Sequence, residues 1–85
     1  MSISADLANE LSYKYPKKYI IVGYISGVKV NISGRGKNVR ELVLKAIENL
    51  EDSRGGGHEN AVGAQVRFDD LEKFKEKMEE LVNSN

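Results

Sequence analysis

Residues 55–64 have the sequence Gly55-Gly56-Gly57-His58-Glu59-Asn60-Ala61-Val62-Gly63-Ala64, in which three adjacent glycines precede the only histidine of the chain. A glycine placed in regular structure costs about 0.5–1 kcal/mol relative to alanine, so the backbone of this segment is expected to approach something closely. We predict a glycine turn that leads into one helical turn over residues 58–62. The free N–H groups and positive dipole end of such a turn suit a phosphate. The alternative is a connection in which the glycines only reverse the chain.

The residues before this stretch predict one helix followed by a β-hairpin. Ser4 is the expected N-cap of a helix over residues 4–14, which ends before Pro16. The nearly continuous apolar run over residues 19–25 predicts a strand that is covered on both faces. Strict alternation over residues 28–33 predicts a half-buried strand paired with the first.

A second helix and a third strand flank the glycine stretch. Asn38 and Glu41 form a capping-box-like pair at the start of a helix whose apolar positions continue to Leu50. Residues 64–68 alternate as a strand, and Asp69 is the expected cap of a final amphipathic helix. The sequence therefore predicts an α/β fold: a small sandwich of a three-stranded, or slightly larger, mixed sheet with flanking helices, in the order α-β-β-α-β-α.

Size and composition limit the classes of protein that this chain can represent. Its 85 residues are expected to form a single domain, 1–85, with one thin core. The formal net charge is zero, with 13 basic and 13 acidic residues, which argues against a strong sequence-independent DNA binder. Charged residues make up 31% and no apolar run approaches the ~20 residues of a membrane span. Cysteine is absent and residues 1–4 lack the features of a secretory signal, so we expect a cytoplasmic protein without a membrane partner.

A second candidate site lies at Ser33-Gly34-Arg35-Gly36, where a strand is expected to end and a helix to begin. The planar guanidinium of Arg35 suits bidentate contact with a phosphate, whereas the alternative is a solvated loop arginine. His58 cannot build a metal site alone, since metals need three or four ligands. No cysteine or evident serine nucleophile accompanies it. We therefore predict no catalytic residue and no metal ligand in this chain.

The chain resembles the DHH-associated C-terminal domain, first subfamily, of RecJ-like exonucleases and small-oligonucleotide phosphoesterases. The resemblance rests on Ser33-Gly34-Arg35 after a strand, on Gly55-Gly56-Gly57-His58, and on Ala61 and Gly63 behind it; it covers residues 5–82. It implies that the domain follows a catalytic DHH domain whose Asp/His motifs bind manganese. It also implies that the matching positions grip the phosphates and terminal nucleotide of the substrate: Arg35, Gly55, Gly56, Gly57 and His58, with Ser33 and Asn60 as further candidates.

The leading hypothesis is a nucleic-acid or oligonucleotide phosphate-binding domain of a DHH-family phosphoesterase. It would position single-stranded substrate for manganese held by a catalytic domain in cis, which this chain lacks, and would be inert by itself. The chain would then be either an excised domain or a stand-alone binding module. The alternatives are a tRNA-binding accessory module similar to the C-terminal domain of alanyl-tRNA synthetases, an interaction domain that docks a partner through an exposed helix, and an independent enzyme.

Overall fold

The computed structural model describes residues 3–83 of the chain. Seven regular elements and one short 3₁₀ turn (Phe68–Asp70) follow one another along it: α1 (Ile3–Lys14), β1 (Ile20–Ser26), β2 (Lys29–Arg35), α2 (Val39–Ile47), β3 (Arg54–His58), β4 (Ala61–Arg67) and α3 (Leu71–Asn83). Because α1 begins at Ile3, Ser4 lies inside the helix and is not its cap. None of these helices combines the length and the apolar character that a membrane span requires.

The four strands form one sheet in the order β1-β2-β4-β3, and every neighbouring pair is antiparallel. The predicted α/β class, a small sheet flanked by helices, is confirmed. Its four strands fall within the predicted three-stranded, or slightly larger, sheet, but the sheet is antiparallel throughout instead of mixed. The β1–β2 hairpin is as expected, with Gly27 at φ +62 in its turn.

The additional strand is β3, which contains all three adjacent glycines. The predicted helical turn over residues 58–62 is wrong: Glu59 and Asn60 form the turn of a second hairpin, and Ala61 already belongs to β4. Glycines carry no side chains, so a run of them gives no apolar alternation to mark a strand. The helix-terminus phosphate cradle expected from the sequence is therefore absent from this part of the chain.

One face of the sheet packs against α2 and α3 and forms the main core; we call it the α2 face. Alternate residues of the strands point into it, and α2 and α3 contribute their apolar stripes. The buried residues of this core are Val30, Ile32, Val39, Leu42, Val43, Ala46, Ile47, Val62, Val66, Phe74 and Met78. The prediction that α2 and α3 each bury an apolar stripe is confirmed.

Two expectations about buried segments are wrong. Strand β1 lies at the edge of the sheet, and the Ile25 side chain is 55% exposed, so β1 is not covered on both faces. Helix α2 ends at Ile47 instead of continuing to Leu50. The hydroxyl of Ser53 donates to the carbonyl oxygens of Ile47 (3.0 Å) and Leu50 (2.7 Å), which satisfies backbone groups that the helix end leaves unpaired.

The opposite face of the sheet carries α1, and we call it the α1 face. Helix α1 contacts β1 and β2, where its Ala8 is fully buried. Gly34 faces α2, so the next residue, Arg35, points to the α1 face. Its Nε donates a 2.7 Å hydrogen bond to Asn9 Oδ1 on α1. Helix α1 therefore packs over β1 and β2. The other half of the α1 face belongs to β4 and β3.

Candidate functional site

The strand register brings Arg35 and His58 into the same row across the sheet. Arg35 of β2 lies opposite Ala61 of β4, which in turn lies opposite His58 of β3. Residues directly opposite in antiparallel strands share a face, so all three positions belong to the α1 face. With strands about 4.8 Å apart, Arg35 and His58 are separated by about 10 Å at the backbone. The two segments that the sequence singled out therefore meet on a sheet face and not in a pair of loops.

Two further rows follow the first along the α1 face. The middle row consists of Ser33, Gly63 and Gly56, and the third consists of Asn31, Gln65 and Arg54. Within residues 3–83 the positions of β2, β4 and β3 on this face include four cationic side chains and no carboxylate: Lys29, Arg35, Arg54 and Arg67. A chain with no net charge thus concentrates positive charge on one side of its sheet, which attracts anions.

Arg35 is held in place by two hydrogen bonds and keeps unused donors. Its Nε donates to Asn9 Oδ1 at 2.7 Å, and its Nη1 donates to the carbonyl oxygen of Gly34 at 2.8 Å. A guanidinium has five N–H donors, and Nη2 has no partner among the described residues. Because the fork is fixed before any ligand arrives, less side-chain entropy is lost when it binds one.

His58 lies at the end of β3, exposed and without a hydrogen-bond or ion-pair partner within the described residues. It also borders an open groove of about 700 Å³ that runs along α2. That groove is lined by carboxylates as well as cations, among them Glu41, Glu48 and Glu59. Carboxylates repel anions, so the α1 face suits a phosphate better than the α2 groove does.

Two of the three adjacent glycines are explained by packing within the domain. A Cβ at Gly55 would lie 3.2 Å from the Ile47 side chain and 3.1 Å from Ala64 Cβ, so β3 can approach α2 only without one. Gly57 has φ +147, a conformation that side-chain-bearing residues rarely adopt, and a Cβ there would collide with the carbonyl oxygen of Ala61. These residues therefore fit the fold irrespective of any ligand.

Gly56 and Gly63 have no such explanation. They face each other across β3 and β4, and a Cβ added to either would meet no atom within 4 Å among the described residues. Neither has a positive φ, so a side chain would be tolerated by the backbone. A glycine pair weakens a sheet, since it lacks cross-strand side-chain contacts. We call this flat, uncovered pair the glycine floor.

The other two predicted site residues occupy different surroundings. Ser33 is only 6% exposed and lies beside Gly63 on the α1 face, on the strand that α1 contacts. Asn60 binds the N-terminus of α2: its Oδ1 accepts a hydrogen bond from the Asn38 N–H at 3.0 Å. Because this replaces the side-chain cap expected from Asn38 and Glu41, the predicted capping box is wrong.

Backbone groups complete the attachment of the β3–β4 turn to α2. The N–H of Arg40 donates to the Glu59 carbonyl at 3.2 Å, and the N–H of Gly36 donates to the Asn60 carbonyl at 3.1 Å. The first turn of α2 is thus partly occupied by protein and offers few free donors to an anion.

Sequence reasoning missed three residues of the α1 face: Asn31, Gln65 and Arg54. Gln65 Nε2 donates to Asn31 Oδ1 at 3.0 Å, and Arg54 is exposed at the end of the same row. With the glycine floor they line a shallow depression of about 370 Å³. The period-two alternation of residues 28–33 and 64–68 was the signal for this face, but the register between the strands could not be known.

Within residues 3–83, no group of three or more His, Asp or Glu side chains is placed to hold a metal ion.

Comparison with known proteins places the chain in a family. The DHHA1 domain model matches residues 1–84, which is almost the whole chain. A search of curated proteins found no match to the chain. DHHA1 is an accessory domain associated with DHH-family phosphoesterases; it is not catalytic by itself and normally occurs with a DHH catalytic domain in cis. With this match, the resemblance noted from the glycine and arginine motifs is confirmed, and the chain belongs to the DHHA1 domain family.

Proposed function

We propose that the α1 face binds a phosphate group of single-stranded nucleic acid or of a short oligonucleotide and positions it for a DHH phosphoesterase domain. The observation that carries the proposal is the arrangement of Arg35 and His58 in one row beside the glycine floor. Family membership supports the association with phosphoesterase chemistry, and the local charge supports an anionic ligand.

The phosphate lies on the glycine floor, where no side chain prevents it from approaching the backbone. The free Nη2 edge of Arg35 donates to one side of it, and the His58 ring donates to the other. Ser33 borders the floor on the β2 side. The residues of the chain bind and orient; bond cleavage takes place at a metal centre supplied by the catalytic domain.

A nuclear magnetic resonance titration tests this proposal directly. ¹⁵N-labelled protein in low salt receives a 5′-phosphorylated dinucleotide, and we expect shifts in residues 31–36, 54–58 and 61–65. Arg35→Ala removes a charge-assisted hydrogen bond and should weaken binding by about 10- to 100-fold. Lys75→Ala, which removes an exposed cation on α3, is the matched control and should leave affinity unchanged.

The salt dependence of binding adds a second criterion. With Arg35 and Arg54 as two cationic contacts to a single strand, log K should fall with log[salt] at a slope of about −1.4. Absence of shifts at millimolar ligand would overturn the proposal. A clear preference for folded tRNA over the dinucleotide would favour the tRNA-binding module instead.

Docking of a partner through α3 receives less support. Its Phe74 and Met78 are buried in the core, and its outer side is charged and carries ion pairs such as Lys77–Glu80 at 3.6 Å. This alternative would be favoured if the chain bound a partner protein and if Arg35→Ala and His58→Ala did not change that binding. Substitutions on α3 would then abolish it.

A further inference from the structure

We infer that Asn31 and Gln65 form a base-recognition pair, which contacts the hydrogen-bonding edge of the nucleobase attached to the bound phosphate. The inference rests on the proposed phosphate site and names a second contact within the same substrate. It starts from the third row of the α1 face, which lies beyond the glycine floor from Arg35 and His58.

The two amides are oriented by each other. Gln65 Nε2 donates to Asn31 Oδ1 at 3.0 Å, and both side chains are partly buried. This bond leaves the Asn31 Nδ2 group as a donor and Gln65 Oε1 as an acceptor. The pair thus offers one donor and one acceptor, and both residues line the depression.

A nucleobase has the complementary chemistry. Adenine and cytosine offer an amino donor next to a ring-nitrogen acceptor, and guanine and thymine or uracil offer a carbonyl acceptor next to a ring N–H. Side-chain amides commonly make paired contacts of this kind with base edges. A carboxylate or a cation in place of the pair would not match all bases, whereas an amide pair offers both a donor and an acceptor.

The position of the pair fits one nucleotide. Arg35 lies four positions after Asn31 on β2, which corresponds to about 13 Å of strand. The row between theirs consists of Ser33 on β2 and the glycine floor on β4 and β3. The sugar and the flat base can rest on this floor, where neither glycine carries a side chain. The depression of about 370 Å³ adjoins the floor on the side of Asn31 and Gln65, within the size range of small-ligand sites.

Affinities for phosphates with and without a base test the inference. The probes are deoxyribose 5-phosphate and the four deoxynucleoside 5′-monophosphates, titrated into the whole chain by calorimetry or by chemical shift. We expect nucleotides to bind about five- to tenfold more tightly than deoxyribose 5-phosphate, the low end of what a paired amide contact supplies. Asn31→Ala and Gln65→Ala should remove this difference without weakening binding of deoxyribose 5-phosphate.

Two control variants separate the possible outcomes. Arg35→Ala should weaken binding of every probe, and Asn83→Ala, which removes an exposed amide at the end of α3, should change none. Equal affinity for deoxyribose 5-phosphate and the nucleotides would overturn the base contact and leave the phosphate site standing. Absence of binding by every phosphate would overturn the proposed function and the base contact with it. Circular dichroism of each variant establishes that it is folded.

Discussion

The two faces of the sheet contain glycines for opposite reasons. On the α2 face, a Cβ at Gly55 would be crowded by Ile47 and Ala64, whose side chains lie within 3.2 Å of its position. On the α1 face, Gly56 and Gly63 leave space that nothing in the described residues fills. Gly55 and Gly56 are neighbours in sequence, yet only the first is explained by folding. A glycine in a strand therefore indicates function only when its face and its surroundings are known.

The same contrast applies to polar groups. On the α2 side, polar groups such as Asn60 cap the helix and hold the β3–β4 turn in place. The α1 face carries donors on Arg35 and His58, and the Nδ2 of Asn31 and Oε1 of Gln65, that have no partner within residues 3–83. Changes on the first side should act mainly on stability, and changes on the second mainly on binding.

The largest expected effect is the loss of the Phe74 ring from the core. Phe74 is 2% exposed, so Phe74→Ala should lower the free energy of unfolding by about 3–5 kcal/mol. Urea denaturation followed by circular dichroism measures this change. Lys75→Ala next to it is exposed and should stay within about 0.5 kcal/mol of the wild type. Similar losses in the two variants would contradict the placement of the core.

A smaller loss is expected for Gly57→Ala. The strained backbone at φ +147 should cost about 1–3 kcal/mol, and the contact with the Ala61 carbonyl adds to it. In a domain of this size, each kcal/mol lowers the melting temperature by about 4–8 °C. A thermal scan that gives the wild-type melting temperature would contradict the explanation of this glycine by folding.

Asn60→Ala should cost about 1 kcal/mol, because it removes the acceptor for the Asn38 N–H at the start of α2. Affinity for a 5′-phosphorylated dinucleotide should change little. Denaturation and calorimetry on the same sample give both quantities. Weakened binding at unchanged stability would instead place Asn60 in the ligand site.

The smallest effect is expected at the sheet edge. Ile25 is more than half exposed on β1, so Ile25→Thr should change the free energy of unfolding by no more than about 0.5 kcal/mol. Urea denaturation compares it with Val30→Ala in the buried part of the cross-strand neighbour β2. A loss at Ile25 as large as that at Val30 would mean that β1 is covered after all.

Much of the fold could be predicted from the sequence because its elements carry apolar periodicity. The helical spacing of Phe74 and Met78 correctly indicated the buried side of α3. The alternation in β2 correctly indicated its buried face. Strand β3 could not be recognised, because three of its five residues have no side chain to alternate. The exposed side of β1 was missed because a continuous apolar run does not reveal that a strand lies at an edge.

The sequence predicted several residues of the candidate site, but it did not predict how they are arranged. Arg35 and the glycine–histidine segment were singled out by residue type, and the register placed Arg35 and His58 in one row with Gly56 in the next. Their arrangement on a sheet face depends on pairing between β2 and β4, which are far apart in sequence. Asn31 and Gln65 were not recognised, since a lone amide in a strand carries no signal until its cross-strand partner is known.

The most direct test of the central claim measures stability and binding together in Gly56→Ala and Gly63→Ala. Each site has room for a methyl group and no positive φ, so each variant should gain about 0.4–1 kcal/mol of stability from the loss of unfolded-state freedom. Each should also bind a 5′-phosphorylated dinucleotide about tenfold more weakly, which is about 1.4 kcal/mol, because the methyl group occupies the glycine floor. Gained stability with lost binding is the predicted result. Wild-type affinity in both folded variants would contradict the account.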